Sequence, residues 1–207
     1  MLTIALPKGR LGDTVYQALQ KAGYGIPAMD AIGRRLVLED EERSIRYLLV
    51  KPIDVAVYVQ YGAADVGVAG KDILEEKKAD VFEMLDLGLG RCHMAVAAPL
   101  HFQEDYSRKL KVATKFETIA RAYYARRGRE AEFIHLNGSI ELAPVLGLSD
   151  VIVDIVETGT TLKENHLEVI DRFMEISARF IVNRASYRFH QDRIDTLIKR
   201  LEELINL

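Results

Sequence analysis

VIVDIVETGTTLKEN, residues 151–165, reads in turn as a strand, a pair of carboxylates, a tight loop of small residues and the start of a helix. A continuous run of Val and Ile suits a strand covered on both faces, because successive side chains point to opposite sides of a sheet. Thr158, Gly159, Thr160 and Thr161 then bring backbone N–H groups and hydroxyl donors together. The positive end of a following helix is worth roughly 0.3–1 kcal/mol to a nearby anion. Asp154 and Glu157 stand just before the loop, where carboxylates accept hydrogen bonds from two ribose hydroxyls or help hold Mg2+ through water. The combination suits a sugar phosphate better than an isolated phosphate. A purely structural reading makes Thr160 or Thr161 an N-cap, with Glu164 completing a capping box from Thr161, and spacing alone leaves both open.

Working outward, the same alternation of strand and helix recurs. Residues 2–6 form an apolar run stopped by Pro7, after which Leu11, Val15, Ala18 and Ala22 repeat at helical spacing before Gly23. Strands are expected over 35–39 and 45–50, then a helix entered through Pro52, then strands over 64–69, 80–85 and 93–98. Strands at 110–113 and 132–135 flank a helix over 116–127 ended by Gly128, and 167–182 reads as two more strands. Ile194, Leu197, Ile198, Leu201, Leu204 and Ile205 form the stripe of a terminal helix that packs on a core or on another subunit. The pattern predicts an α/β architecture with mainly parallel pairing, and a second lobe whose core lies between about 91 and 180.

Composition excludes several function classes. The chain has 207 residues, 49% apolar and 29% charged, the mix of a packed globular protein. A net charge of -3 offers no general drive towards nucleic acid or an anionic membrane, so neither is expected as a partner. Cys92 is the single cysteine, which forbids an intrachain disulfide and fits a reducing cytoplasmic setting. The amino terminus MLTIALPKGR is too short an apolar run for a secretory signal, and no stretch approaches the roughly 18 apolar residues of a membrane span. The five histidines lack metal spacing and there is no cysteine cluster, which argues against structural zinc. No Gly-Lys-Ser or Gly-Lys-Thr follows at Walker spacing, and Gly88 and Gly90 do not complete a dinucleotide fingerprint. Cys92 and His93 are adjacent, so on a strand they point to opposite faces and read as packing residues rather than nucleophile and base.

Lys8 and Arg10 supply positive charge on the loop after the first strand, and Gly9 lets the backbone come close to a ligand; a solvated surface pair is the plainer alternative. Gly70, Lys71 and Asp72 sit at a strand-to-helix turn, and Ser139 and Glu141 open a later helix, so Asp72 and Ser139 can also be read as helix caps.

DIVETGTTL at 154–162, LPKGRL at 6–11, GAADVGVAGKDIL at 62–74 and NGSIELAP at 137–144 together resemble the signatures of the ATP phosphoribosyltransferases, and the likeness runs from about residue 2 to 187. That resemblance implies a two-lobed fold of periplasmic-binding-protein type II with a cleft between the lobes. Residues 1–90 and 181–207 would form the first lobe, and 91–180 the second. It implies attack by adenine N1 of ATP on C1 of phosphoribosyl pyrophosphate, giving N1-(5-phospho-β-D-ribosyl)-ATP and pyrophosphate, the first step of histidine biosynthesis. Mg2+ would arrive with the substrates. By the same resemblance Thr158, Gly159, Thr160, Thr161 and Leu162 hold the 5-phosphate, Asp154 and Glu157 contact the ribose, and Lys8 and Arg10 face pyrophosphate or triphosphate. Gly9, Arg34, Lys51, Gly70, Lys71, Asp72, Ser139 and Glu141 would line the nucleotide or cleft surface. The neighbourhood of Arg34 and Lys51 departs from the family pattern, which often has Pro-Thr where this chain has Ala56 and Val57. Because the chain ends at Leu207 directly after its amphipathic helix, it resembles the short form. That form is a homodimer that joins a histidyl-tRNA-synthetase-like regulatory subunit in a hetero-octamer.

Two other readings share parts of this pattern. A phosphoribosyltransferase acting on a free base has the same acidic loop but not LPKGRL or GAADVGVAG. A non-catalytic ligand-binding protein of the same fold needs no acidic phosphoribose loop.

Overall fold

The computed structural model describes residues 1–29 and 33–205. The chain starts with β1 (Leu2–Pro7) and α1 (Arg10–Leu19), continues through β2 (Val37–Asp40) and β3 (Ile45–Val50) to α2 (Val55–Gln60), and reaches β4 (Val66–Gly70), α3 (Lys71–Lys77) and β5 (Phe82–Asp86). After Gly90 it enters a second compact unit, residues 91–176. That unit contains β6 (Cys92–Pro99), β7 (Leu110–Thr114), α4 (Glu117–Arg126), β8 (Ala131–His135), α5 (Leu142–Val145), β9 (Val151–Val156), α6 (Thr160–Glu164) and β10 (Leu167–Ile176). The chain returns at Ser177 to complete the first unit with β11 (Ala178–Val182) and α7 (Arg184–Ile205).

The first sheet has the order β2-β3-β1-β4-β11-β5, and the second β10-β6-β9-β7-β8. Parallel pairing joins β1 to β3 and β4, and β7 to β8 and β9, while the remaining ladders are antiparallel. The sheets are therefore mixed, not mainly parallel. β2 and β3 are joined by a turn too short for a parallel crossover and so pair antiparallel, and β11 runs against both β4 and β5. The return also falls four residues before the expected 180/181 boundary. Ile176 packs in the second unit's core, whereas Ala178, Phe180 and Val182 pack in the first.

β1 is buried along its whole length and forms the floor of the first core with Tyr47, Val66 and Phe180. The apolar stripe of α7, Ile194, Leu197, Ile198 and Leu201, covers that core, which settles the terminal stripe as a core face. α7 begins earlier than its apolar spacing indicated, because Asn183 starts it: the Asn183 Oδ1 accepts N–H bonds from Ala185 and Ser186, both at 2.9 Å. Its Nδ2 donates to the carbonyl of Val59 at 2.8 Å, tying this helix start to the end of α2. The helix breaks at His190 (φ -128°, ψ 24°) before the apolar stripe begins.

The second sheet is covered on both faces. Met94, Val96, Val112 and Val153 meet Ile119, Ala120 and Tyr124 of α4 on one side. Ala95, Ala97, Ala113 and Ile152 meet Ile140, Ala143 and Leu162 on the other.

Gly12 carries the tightest approach in the first unit. A Cβ there would lie 1.6 Å from the Pro7 carbonyl oxygen, so α1 can leave β1 at this angle only without a side chain at that position. Gly12→Ala is expected to displace α1 and cost about 3 kcal/mol of stability, read as a lower urea midpoint.

Candidate sugar-phosphate site

The second unit builds its site where strands end. Ile152 and Asp154 of β9 lie opposite Ala97 and Ala95 of β6, and the short alanine side chains leave a hollow on that face. The hollow has a volume of about 290 Å³ and is lined by Ala95, Ala97, Glu141, Asp154, Glu157 and residues 158–162. Three carboxylates and a threonine-rich loop thus converge on one cavity.

Gly159 sits at the N-cap of α6 with φ 76°, a left-handed conformation that β-branched residues avoid. Thr160 and Thr161 fall in the first turn, and no side chain caps the helix, so the Thr161–Glu164 capping box is not formed. Thr158 Oγ1 lies 3.1 Å from Thr160 Oγ1, which draws the two hydroxyls together. The Thr160 N–H makes a long bond to Thr158 Oγ1 at 3.4 Å, and the N-cap glycine has no side chain to cap the turn, whose residues line the cavity. Asp154 is fixed at its own strand end, its Oδ1 accepting the Ile155 N–H at 2.8 Å. Glu141 stands at the N-cap of α5 and lines the hollow, whereas Ser139 has φ 49°, is not the cap of that helix and does not line it.

Lys115, which the sequence reading passed over, stands beside this group. Its Nζ lies 3.9 Å from Asp154 Oδ1 and 4.7 Å from the Phe116 ring centre. Thr114 makes the placement firm: its buried Oγ1 donates to the Val153 carbonyl at 2.7 Å and accepts the Phe116 N–H at 2.9 Å. The available signal was the step from VAT to a lysine just before a helix, the same strand-end pattern that marks Asp154.

The first unit collects its basic residues at the carboxyl end of β1. Lys8 N–H donates to the Val50 carbonyl at 2.8 Å, which brings the ends of β1 and β3 together. Lys8, Gly9 and Arg34 line a cavity of about 380 Å³ with Tyr16 and Arg35, and Gly9 has φ 96°. Arg10 and Lys51 are exposed near these strand ends without lining that cavity. Gly70, Lys71 and Asp72 form the β4–α3 turn, where they have structural work. Lys71 bonds Glu83 at 2.8 Å and Glu75 at 3.0 Å; burial pulls its pKa down, but the two carboxylates outweigh burial and raise it. Asp72 is buried in the first turn of α3 and is not its cap. A Cβ on Gly70 would lie 2.2 Å from Asp72 Oδ1, so the glycine makes room for that carboxylate.

Cys92 packs against the second unit's core, and His93 Nδ1 lies 2.8 Å from Glu175 Oε1. Among the described residues no group of three His, Cys, Asp or Glu side chains is placed to hold a metal ion, and no helix is long and apolar enough to cross a membrane.

In both units the polar loops leave the carboxyl ends of parallel strands, the edge at which open α/β sheets bind ligands. The fold is that of an α/β protein of periplasmic-binding-protein type II class, with a polar hollow lined by carboxylates and threonines in its second unit. The fold alone is shared with the substrate-binding protein of an amino acid ABC transporter, at a TM-score of 0.59 and 13% identity, over 98% of this chain and 92% of that one. The sequence model of the family described as HisG, ATP phosphoribosyltransferase, matches residues 51–203. An ATP phosphoribosyltransferase of Brachyspira hyodysenteriae is 52% identical over 206 residues, covering 99% of this chain and all of its own length. A solved ATP phosphoribosyl transferase (HisG:HisZ) complex from Thermotoga maritima contains a chain that superposes at a TM-score of 0.87 with 35% identity, over 100% of this chain and 99% of that one. The chain belongs to the ATP phosphoribosyltransferase family.

Gly159→Val places a β-branched residue at a positive φ. It is expected to cost about 1–2 kcal/mol in the denaturation midpoint and to weaken ribose 5-phosphate binding measured by calorimetry.

Proposed function

We propose that the loop of the second unit holds phosphoribosyl pyrophosphate while this ATP phosphoribosyltransferase performs the first step of histidine biosynthesis. The adenine N1 lone pair of ATP forms a bond to C1 of the ribose. The C1–O bond breaks, and its electron pair leaves with Mg2+-bound pyrophosphate, giving N1-(5-phospho-β-D-ribosyl)-ATP. No covalent enzyme intermediate is needed, so the protein's contribution is positioning and charge.

The observation that carries this reading is the convergence of Asp154, Glu157 and the uncapped threonine turn on one cavity. The turn's N–H groups and the Thr158, Thr160 and Thr161 hydroxyls receive the 5-phosphate. Asp154 and Glu157 accept hydrogen bonds from the ribose hydroxyls and stabilise positive charge as it builds on the ring. Lys8, Arg10, Arg34 and the neighbouring Arg35 offer cations to a pyrophosphate or triphosphate, with Gly9 permitting close backbone approach. Mg2+ enters with the pyrophosphate substrate. ATP and phosphoribosyl pyrophosphate are cytosolic metabolites, and the cytosol is the compartment we assign.

The Thermotoga maritima relative is found in a HisG:HisZ complex, and its matched chain is covered almost completely. By that likeness this chain is the short-form catalytic subunit, a homodimer that joins a HisZ-type, histidyl-tRNA-synthetase-like regulatory subunit in a hetero-octamer.

The direct test is the ultraviolet absorbance of phosphoribosyl-ATP, formed from ATP and phosphoribosyl pyrophosphate with Mg2+ and pyrophosphatase, with and without a HisZ-type subunit. Product requiring both substrates is expected, and its absence from folded protein under both conditions would refute the reading. Thr161→Ala and Glu157→Ala should each raise KM for phosphoribosyl pyrophosphate by about tenfold or more, the scale of a lost hydrogen bond to a charged group, while the protein stays folded.

A further inference from the structure

The hollow beside β9 presents a charge problem. Glu141, Asp154 and Glu157 all line it, yet its proposed occupant is a phosphorylated sugar. Carboxylates that grip ribose hydroxyls also repel phosphate, and the partial charges of the α6 turn offset only part of that repulsion.

Lys115 stands where a full positive charge meets this problem. β7 and β9 are parallel with Thr114 opposite Val153, so the next rung puts Lys115 beside Asp154. Ala113 and Ile152, two positions back, belong to the apolar cluster that includes Leu162 of α6; Asp154 lines the cavity, whereas Lys115 is not itself a lining residue and approaches it through Asp154. The Asp154 side chain is 20% exposed and the Lys115 side chain 41%. At 3.9 Å the ammonium faces Asp154 but lies outside hydrogen-bond range, so its donors are not committed to that carboxylate. The Phe116 ring, 4.7 Å away, supports the charged head without supplying an acceptor oxygen.

We infer that Lys115 is a binding residue for the phosphorylated ribose, the cation that lets an otherwise acidic hollow accept an anion. This rests on the proposal that the 154–162 segment holds phosphoribosyl pyrophosphate. Lys115 adds to that segment a residue from just beyond the end of β7, brought there by the pairing of β7 with β9.

The test compares Lys115→Met, which keeps the stem and removes the charge, with Lys115→Arg, which restores it, and uses Thr161→Ala as a control on the loop. Ribose 5-phosphate binding is followed by calorimetry, KM for each substrate by the absorbance assay, and folding by thermal melting. Lys115→Met is expected to weaken ribose 5-phosphate and raise KM for phosphoribosyl pyrophosphate by about tenfold. KM for ATP should stay within about twofold and the melting temperature should not move. Lys115→Arg should recover most of the loss, and the difference between the wild type and Lys115→Met should shrink as salt is added. A wild-type KM for phosphoribosyl pyrophosphate in Lys115→Met, alongside an impaired Thr161→Ala, overturns the role of Lys115 and leaves the loop assignment standing. Wild-type behaviour in both variants overturns the loop assignment as well. A lowered melting temperature with equal losses for both substrates assigns Lys115 a structural role and also overturns the inference.

Discussion

A strand buried in the middle of a sheet must have every backbone group paired, and the chain leaving it must then find new partners at once. β1, between β3 and β4, and β9, between β6 and β7, are such strands. Where they end, the parallel neighbours end nearby, and the exiting backbone lies among other exiting backbones with N–H groups to satisfy. Gly9 and Gly159 take positive φ at these two exits, and charged or hydroxyl side chains cluster around them. Exits of this kind are where open α/β sheets place their ligand-binding loops.

The two exits differ in charge. Around β1 the ionisable groups that line the cavity, among the described residues, are mostly cations, Lys8, Arg34 and Arg35, with Asp13 as a carboxylate. Around β9 the lining groups are carboxylates, and Lys115 comes from the neighbouring strand. The substrates of the proposed function have unlike demands of the same kind: dense anionic charge for a nucleoside triphosphate, polyhydroxyl recognition plus phosphate for a phosphoribose. Holding the reactants in register is the main service a protein can offer when the attacking atom and leaving group both belong to substrates.

Much of the local structure was legible in the residues. The Val and Ile run of 151–156, the glycine-threonine turn after it and the apolar stripe of α7 appear as read, because period and turn chemistry are local properties. Asn183 and the polar first half of α7 escaped, since a cap whose amide also reaches the Val59 carbonyl is a long-range arrangement. The pairing of Lys71 with Glu83, twelve residues on, was likewise invisible in the sequence. Spacing left Thr160 or Thr161 open as a cap, and a left-handed glycine holds that position instead.

By itself the sequence determined the alternation of strands and helices, the phosphate-type turn at 158–161 and, through four ordered motifs, the family. These depend on neighbours a few residues apart or on shared ancestry. Tertiary structure alone decided that 167–182 is divided between two sheets, that both sheets are mixed, and that Lys115 stands against Asp154. Those outcomes are set by which strands hydrogen-bond across intervals of tens of residues, and no local period of side chains records that choice.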